Sequence, residues 1–446
     1  MTLADVLPSL RSSLTHRFDS DLWPVTTART GVEVTVGGVA LAELARQYGT
    51  PCYVLDEQDV RLRCRQFRSA FGDGAVAYAA RALACRSVFD WMAEEGLGLS
   101  VCSAGELAVA AAVGFPAERL VLHGDAKAPA DLHAAFDYRV GRIVIESLTE
   151  IPRLAAEVRG RQKVLLRVLA PAGPAGVGRV PAPPDDERFG VSAAPGELDE
   201  AVGRIVGQPG LELVGLDFFL GSQVARFGGY ESVLRRLVEA LAHVRDRYGV
   251  VLPELNLGGG FAVPYRDGDG DFPVDIFATR CRRVLRVECD RSGLPLPRLT
   301  VTPGRALVAR AGVALYRVLA VRREPGGHQL VALDGGLGDN PRPALYGARY
   351  TPTLIGREND APATPSTVVG RYGEAGDVLA RDVPLPGDLH PGDLLAVPDC
   401  GAYQHAMASN YTMVPRPPLV AVNGGASRVL VRRETVEDVL ARDLGV

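Results

Sequence analysis

The sequence predicts an α/β protein: a parallel (β/α)8 barrel of the TIM type joined to a mostly antiparallel β-domain. Three observations carry this. From about residue 51 to 310, short apolar runs alternate with amphipathic helical patterns, about eight times in about 250 residues, which is the period of such a barrel. Beyond about 310 the apolar runs follow one another through tight turns with little helix between them. The segments HGDAK, LGSQ, GGGF and TPGR stand directly after strand runs, where a barrel places its functional loops.

In chain order, residues 1–50 read as a short helical arm and one or two strands (VEVTVGGVAL) that join the β-domain. The barrel, 51–310, takes its strands from PCYVLD, GAVAYAA, RLVLHG, RIVIES, VLLRVL, LVGLDFFL, ELNLGGG and RLTVTPG. Its helices come from segments such as DVRLRCRQFRSAF and SVLRRLVEALAHVRDRYG, where apolar residues recur every three or four positions. The β-domain, 311–446, has strands VALYRVLAVRRE, QLVALDGG, STVVGR, DLLAVPDCGA, PPLVAVNGG and SRVLVRRE. A polar, proline-bearing loop is expected over 356–366 and a closing helix in TVEDVLARDL.

Composition narrows the function classes. The 446 residues are 47% hydrophobic, enough to bury two substantial cores. A net charge of −4 leaves no basic field for a nucleic-acid backbone. No apolar run is long enough to span a membrane, and the N-terminus lacks the pattern of a signal peptide, so a cytoplasmic location is expected. The seven cysteines form no C-x-x-C pair, which suggests neither a metal site nor a disulfide framework. Of 49 basic residues only Lys127 and Lys163 are lysines, so any chemistry that needs a lysine amine has two candidates.

Three strand ends share one chemical character. Ser222 offers a hydroxyl, Gly258, Gly259 and Gly260 expose backbone N–H groups, and Gly304 with Arg305 supplies an amide and a guanidinium. Glycine runs also serve tight βα turns. The coincidence of all three segments at strand ends points instead to an anion site, a cradle for a phosphate.

Many blocks in order carry a resemblance: YVLDEQDVRLR, AYAARAL, EEGLGLSVCSAGEL, RLVLHGDAK, RFGVS, GLDFFLGSQ, LNLGGGF, TPGRALV, RPALYGA, VVGRYGEAGDVLARD and CGAYQHAMASNY. Over roughly 35–435 the chain resembles the fold-type III pyridoxal-phosphate (PLP) decarboxylases, the diaminopimelate/ornithine decarboxylase-like family, most closely the diaminopimelate branch. The resemblance implies an alanine racemase-like barrel that binds PLP, a β-domain, and a head-to-tail homodimer with shared sites. It implies Ser222, Gly258–Gly260, Gly304, Arg305 and Tyr403 on the cofactor phosphate, and Arg342, Tyr346, Glu374 and Asp377 toward the substrate.

The sequence departs from the family where the cofactor ring reacts. The family's Y-A-x-K-A-N lysine, which forms the internal aldimine, falls in Tyr78-Ala79-Ala80-Arg81-Ala82-Leu83, so Arg81 takes its place. A guanidinium stays protonated and is no Schiff-base nucleophile. Phe219 replaces the histidine that stacks on the ring, with Asp217 at the earlier histidine. Thr302 replaces the glutamate that partners the ring nitrogen, Gly373 replaces the cysteine given across the dimer, and Ser100 stands at a family aspartate.

These departures predict a decarboxylase-like protein with a degenerate PLP site. It is read as a repurposed enzyme or a non-catalytic homologue that binds a phosphate-bearing or amino-acid-like ligand. Arg81 would then pair with a carboxylate or oxyanion, Glu374 and Asp377 serve as acid–base groups, and Tyr403 donate a hydrogen bond. Two alternatives stand beside it. One is an active amino-acid decarboxylase that uses Lys127 or a preformed PLP adduct; the other is a regulatory partner of an active decarboxylase. Lys163, ahead of its strand, is expected at the opposite end of the barrel.

Overall fold

The computed structural model describes residues 21–169, 189–265 and 269–445. The helical arm expected at the N-terminus falls largely outside them. The described residues form two compact units, one drawn from 1–60, 263–271 and 308–446, the other from 61–262 and 272–307.

In chain order the first unit begins with β1 (Ala28–Thr30), β2 (Glu33–Val36) and β3 (Val39–Ala40), an antiparallel sheet of their own, then β4 (Cys52–Asp56). The second unit holds β5 (Ala77–Ala79), β6 (Gly98–Val101), β7 (Leu120–Leu122), β8 (Arg142–Ile145), β9 (Gln162–Leu169), β10 (Val191–Ser192), β11 (Leu211–Asp217), β12 (Glu254–Asn256) and β13 (Arg298–Thr300). Eight of these pair in parallel in the order β5-β6-β7-β8-β9-β11-β12-β13, with the short β10 against the end of β9. A parallel bridge from Val76 to Val301 returns β13 to β5, so the sheet closes into the expected barrel.

Helices cover it because their apolar residues share one face. In Phe227–Tyr248 the buried positions Tyr230, Val233, Leu234, Leu237, Val238, Leu241 and Val244 recur every three or four residues, and Gly249 at φ 67° ends the helix.

The first unit continues with β14 (Gly312–Arg323), β15 (Gln329–Leu333), β16 (Thr353–Ile355), β17 (Ala363–Val369), β18 (Val378–Pro386), β19 (Leu394–Val397), β20 (Leu419–Asn423) and β21 (Ala426–Val431). Their order is β18-β17-β15-β14-β4-β20-β21, with β19 between β14 and β16. All pairs are antiparallel except β15 with β17 and β20 with β4. Val34, Val36, Val54, Val313, Leu315, Val420 and Val422 share one core, which packs the first three strands onto this sheet.

The strands correct the sequence reading at four points. PCYVLD, assigned to the barrel, is β4 of the other sheet, hydrogen-bonded to β14 and β20. The barrel's second strand is GLSV (β6), which had not been counted. The expected loop over 356–366 ends early, because β17 starts at Ala363. The segment VLARDVPLP, not read as a strand, is the nine-residue β18.

Candidate functional site

The loops after the barrel strands carry the candidates of the second unit. β5 runs into a single 3-10 turn, Ala80–Ala82, that exposes Arg81 between the buried Ala80 and Ala82. Its charge reaches Cys102, Glu106 and His123, pulling the acidity of each against the burial that dominates it in the two acids and with the burial that dominates in His123. Arg81 therefore sits over the ends of β6 and β7, at the barrel mouth.

The cradle is assembled from the expected residues. Arg305 donates to the Ser222 hydroxyl over 3.1 Å. Gly258 and Gly260 hold φ of 68° and 87°, and side chains there would collide with the carbonyl oxygens of Phe218 and Gly221. A side chain at Gly259 would strike the Thr302 carbonyl, so the three loops are packed backbone against backbone. Beneath them Phe261 stacks with Tyr230 and meets Phe67 edge to face, and the Tyr230 hydroxyl donates to the Gly259 carbonyl at 3.2 Å. The Gly258 amide is taken by Asn256 Oδ1 at 2.9 Å. Among the described residues no acceptor meets the amides of Gly259 and Gly260. Two backbone donors, a hydroxyl and a guanidinium on one rim suit a phosphate.

Below the rim lies a buried polar chain that the sequence reading recognised only in part. Asn256 Nδ2 donates to Asp217 Oδ1 at 2.8 Å and lies 3.1 Å from the Thr302 hydroxyl. Burial raises Asp217 from its ordinary 3.8 to about 7, with Arg167 pulling the other way. Arg167 approaches Glu146 at 3.4 Å and Asp217 at 4.0 Å, and its guanidinium lies 5.5 Å from the centre of the Phe219 ring. Among the described residues the Nε2 of His123 is buried without a hydrogen-bond partner, and burial, then the Arg167, Lys127 and Arg81 charges, hold this histidine well below its ordinary value. Arg167, Glu146, Asn256 and His123 were missed. The available signal was strand alternation: register sets Arg167 of β9 beside Asp217 of β11 and Asp217 beside Asn256 of β12.

Neither lysine amine is offered at the mouth. Lys127 follows β7 on the expected face, but it is 4% exposed. Its Nζ bonds the carbonyls of Gly124 (2.5 Å) and Val144 (2.6 Å) and Glu150 Oε1 (3.0 Å). Three acceptors satisfy its three protons. Lys163, second residue of β9, is at the strand's opposite end.

The β-domain unit places the remaining candidates. Arg342 is buried and donates to the hydroxyls of Tyr265 and Tyr350, each at 2.7 Å. Tyr350 in turn hydrogen-bonds the fully buried Gln404, next to Tyr403, which holds φ 65°. Tyr346 is 67% exposed. Glu374 is exposed, whereas Asp377 is buried and takes the amides of Leu337 (2.6 Å) and Tyr372 (2.9 Å) on its two oxygens. The Asp377 carboxylate thus ties two loops together, and Gly336 and Gly370 press so close that a side chain at either would strike it. Gly373 holds φ 64° at the adjacent exposed turn. Tyr265 and Tyr350 carried no motif in the sequence.

The described residues contain no group of three metal-ligating side chains and no helix long and apolar enough to cross a membrane. Tested against pyridoxal phosphate, the cradle fits the phosphate and Phe219 offers an aromatic face beside Gly260. Attachment through a lysine does not fit.

Comparison with known proteins agrees with the geometry. Residues 57–309 match the family described as pyridoxal-dependent decarboxylase, pyridoxal binding domain. A diaminopimelate decarboxylase of Actinosynnema pretiosum subsp. auranticum is 52% identical over 444 residues, covering 100% of both chains. One from Mycobacterium bovis is 40% identical, covering 95% of this chain and 98% of its own. The crystal structure of diaminopimelate decarboxylase from M. jannaschii in co-complex with L-lysine superposes with a TM-score of 0.89 at 25% identity, covering 95% and 99% of the two chains.

Proposed function

The chain belongs to the pyridoxal-dependent decarboxylase family, and from that premise we propose that it is an amino-acid decarboxylase of the diaminopimelate class that grips pyridoxal phosphate by the phosphate and not through a lysine. The observation that supports this reading is a complete phosphate cradle beside a mouth that carries Arg81 in place of an amine. Full-length likeness to diaminopimelate decarboxylases supports the substrate class.

When bound, the cofactor supplies the electron sink that lets an amino acid lose its carboxylate. The chain's own residues do the rest. Ser222, Arg305 and the amides of Gly259 and Gly260 would hold the phosphate, and the backbone packing of Gly258 and Gly304 keeps those donors in place. Phe219, backed by Arg167, would offer the cofactor an aromatic surface. Arg81 is a permanent cation suited to the amino acid's carboxylate. With Lys127 committed to Glu150 and two carbonyls, the cofactor would be held through its phosphate and not through this amine. Arg342, Tyr346 and Glu374 are assigned to the far end of the substrate, and Tyr403 to a hydrogen bond. Asp377 supports that region by fixing its loops rather than by exchanging protons. The head-to-tail homodimer belongs to the same reading.

A second reading is favoured by Thr302. Its hydroxyl is spent on the neutral Asn256 amide, and no carboxylate stands at this position to keep the ring nitrogen protonated. The protein would then bind the same ligands without turnover, alone or as partner of an active decarboxylase.

One experiment separates the two. The protein is titrated with pyridoxal phosphate, treated with borohydride, and separately given cofactor premixed with diaminopimelate while carbon dioxide and lysine are measured. The proposal expects saturable binding, no borohydride-fixed label on the chain, and lysine formation. Binding without carbon dioxide release selects the second reading. Failure to bind, or a label on Lys127, refutes the untethered site. In Arg81→Lys the label should appear at position 81, with less than about a tenfold change in rate, because Thr302, Phe219 and Gly373 remain.

A further inference from the structure

We propose that the opposite, N-terminal end of the barrel holds a second ligand site, for a small molecule that carries two or more anionic groups, carboxylate or phosphate. A cavity of about 890 Å³ opens there. Its mouth is made of residues at or near the strand starts, among them Ala77 of β5, Gly98 of β6, Arg142 of β8, Lys163 of β9 and Arg298 of β13, and its floor reaches up the barrel to Asn256 and Thr302, the underside of the polar chain beneath the cradle. The volume is that of a metabolite site.

Barrels of this class normally fill their interior with layers of bulky side chains. Here Ala77 and Gly98 contribute little or nothing to that layer. Gly98 is held to this size, since a Cβ would lie 2.6 Å from the Arg119 carbonyl oxygen. The space is therefore built into the backbone.

The wall is strongly cationic in a protein whose net charge is −4. Seven basic side chains line the cavity against three carboxylates, Glu118, Asp137 and Glu254. Glu254 is already saturated: Arg142 grips it through Nε at 2.6 Å and Nη2 at 2.5 Å, and Arg298 adds a contact at 2.9 Å. Arg161 pairs with Glu212 at 3.3 Å, and Arg119 donates to the carbonyls of Ala93 and Leu97. Arg139, Arg159 and Lys163 remain. Their side chains have no ion-pair or hydrogen-bond partner among the described residues.

Topology brings these three together. Arg139 precedes β8, Arg159 precedes β9 and Lys163 lies on it, and β8 and β9 are paired neighbours. Paired strands are about 4.8 Å apart, so one small polyanion can meet all three. Arg139 gives an independent sign. It ends the helix Pro129–Tyr138 in the left-handed conformation, φ 59°, where glycine is the ordinary choice. A bulky cation kept there at a conformational cost, and lining a cavity, fits a ligand contact. Seven cations facing three carboxylates leave an excess of like charge that repels, and an anionic guest lowers that cost. A half-open cavity of limited extent rather than a long basic stripe favours a small molecule over a nucleic-acid backbone.

The test uses full-length protein in an Arg305→Ala background, which disables the phosphate cradle. Citrate and pyrophosphate are titrated calorimetrically against potassium chloride of equal ionic strength. At least one should bind saturably, and which one distinguishes carboxylate from phosphate chemistry. Adding Arg139→Gly, Arg159→Ser and Lys163→Ser together should weaken it at least about tenfold, and Lys163→Arg should keep it. If the triple variant does not fold, the exposed single change Lys163→Glu decides, with the same expected loss. A response no larger than that to potassium chloride, or binding untouched by these changes, overturns the site.

Discussion

Arg305 reaches Ser222 across 3.1 Å at the mouth of the barrel, and this contact holds its guanidinium on the rim of the cradle. A charged hydrogen-bond donor of this kind contributes about 1.5–3 kcal/mol to holding an anion. Arg305→Ala should therefore weaken pyridoxal phosphate binding by roughly tenfold to a hundredfold, measured by titration, while leaving the melting temperature nearly unchanged. Unaltered affinity would remove the cradle from the site. Lys127 shows the contrasting case. Its family-like position after β7 is legible in the sequence, but the direction of its amine is not. Burial pushes the pKa of Glu150 up and the nearby lysine charge opposes that rise, so the two form a buried pair whose separation would be costly. The pair explains why one of only two lysines is retained at this spot without a role at the mouth.

At the scale of elements, the glycine loop after β12 is a packing joint as well as a binding loop. A methyl group at position 260 would meet both a left-handed backbone at φ 87° and the Gly221 carbonyl. Gly260→Ala should cost about 2–4 kcal/mol, seen as a lower midpoint in chemical denaturation, and should weaken phosphate binding with it. Wild-type stability in that variant would show that the loop has room the geometry denies. The glycines were readable from the sequence because such joints admit almost no other residue. Strand membership was less so. PCYVLD is buried at all five positions of β4, between β14 and β20, so its apolar run looks like a barrel strand although it belongs to the other sheet. GLSV was overlooked because Gly98 dilutes its signal, and Gly98 is there for the Arg119 backbone. The count of eight came out right because one strand was wrongly included and one omitted. β18 was missed because Pro384 and Pro386 argue against a strand, yet β18 is an edge, where the missing N–H groups do no harm. Side-chain chains such as Asp217–Asn256–Thr302 arise from strand register, which periodicity alone does not specify.

Across the whole molecule, each unit buries an aspartate that burial lifts from its ordinary 3.8 to about 7: Asp217 in the barrel, and Asp339 in the β-domain, where Tyr316 donates to it at 2.7 Å. A raised folded value means the fold favours the protonated acid. The stability this brings is complete below about pH 4 and is lost as pH rises through about 7. Two histidines act in the opposite sense. Burial lowers His405 from 6.5 to about 4 and holds His123 well below its ordinary value. Their contribution is present above about 6.5 and is lost as pH falls through the folded value. The two effects overlap between about pH 4 and 7, so the wild-type curve should be nearly flat there and hide both. Differences between proteins reveal them. Relative to wild type, Asp339→Asn should gain melting temperature steadily as pH rises from 5 to 8, by several degrees, because it carries no acid to ionise. His405→Gln should gain in the reverse direction, as pH falls from 7 to 5. Thermal unfolding of the three proteins at matched ionic strength checks both signs. A pH-independent offset for either variant would mean that the corresponding group does not change its charge on unfolding within this window.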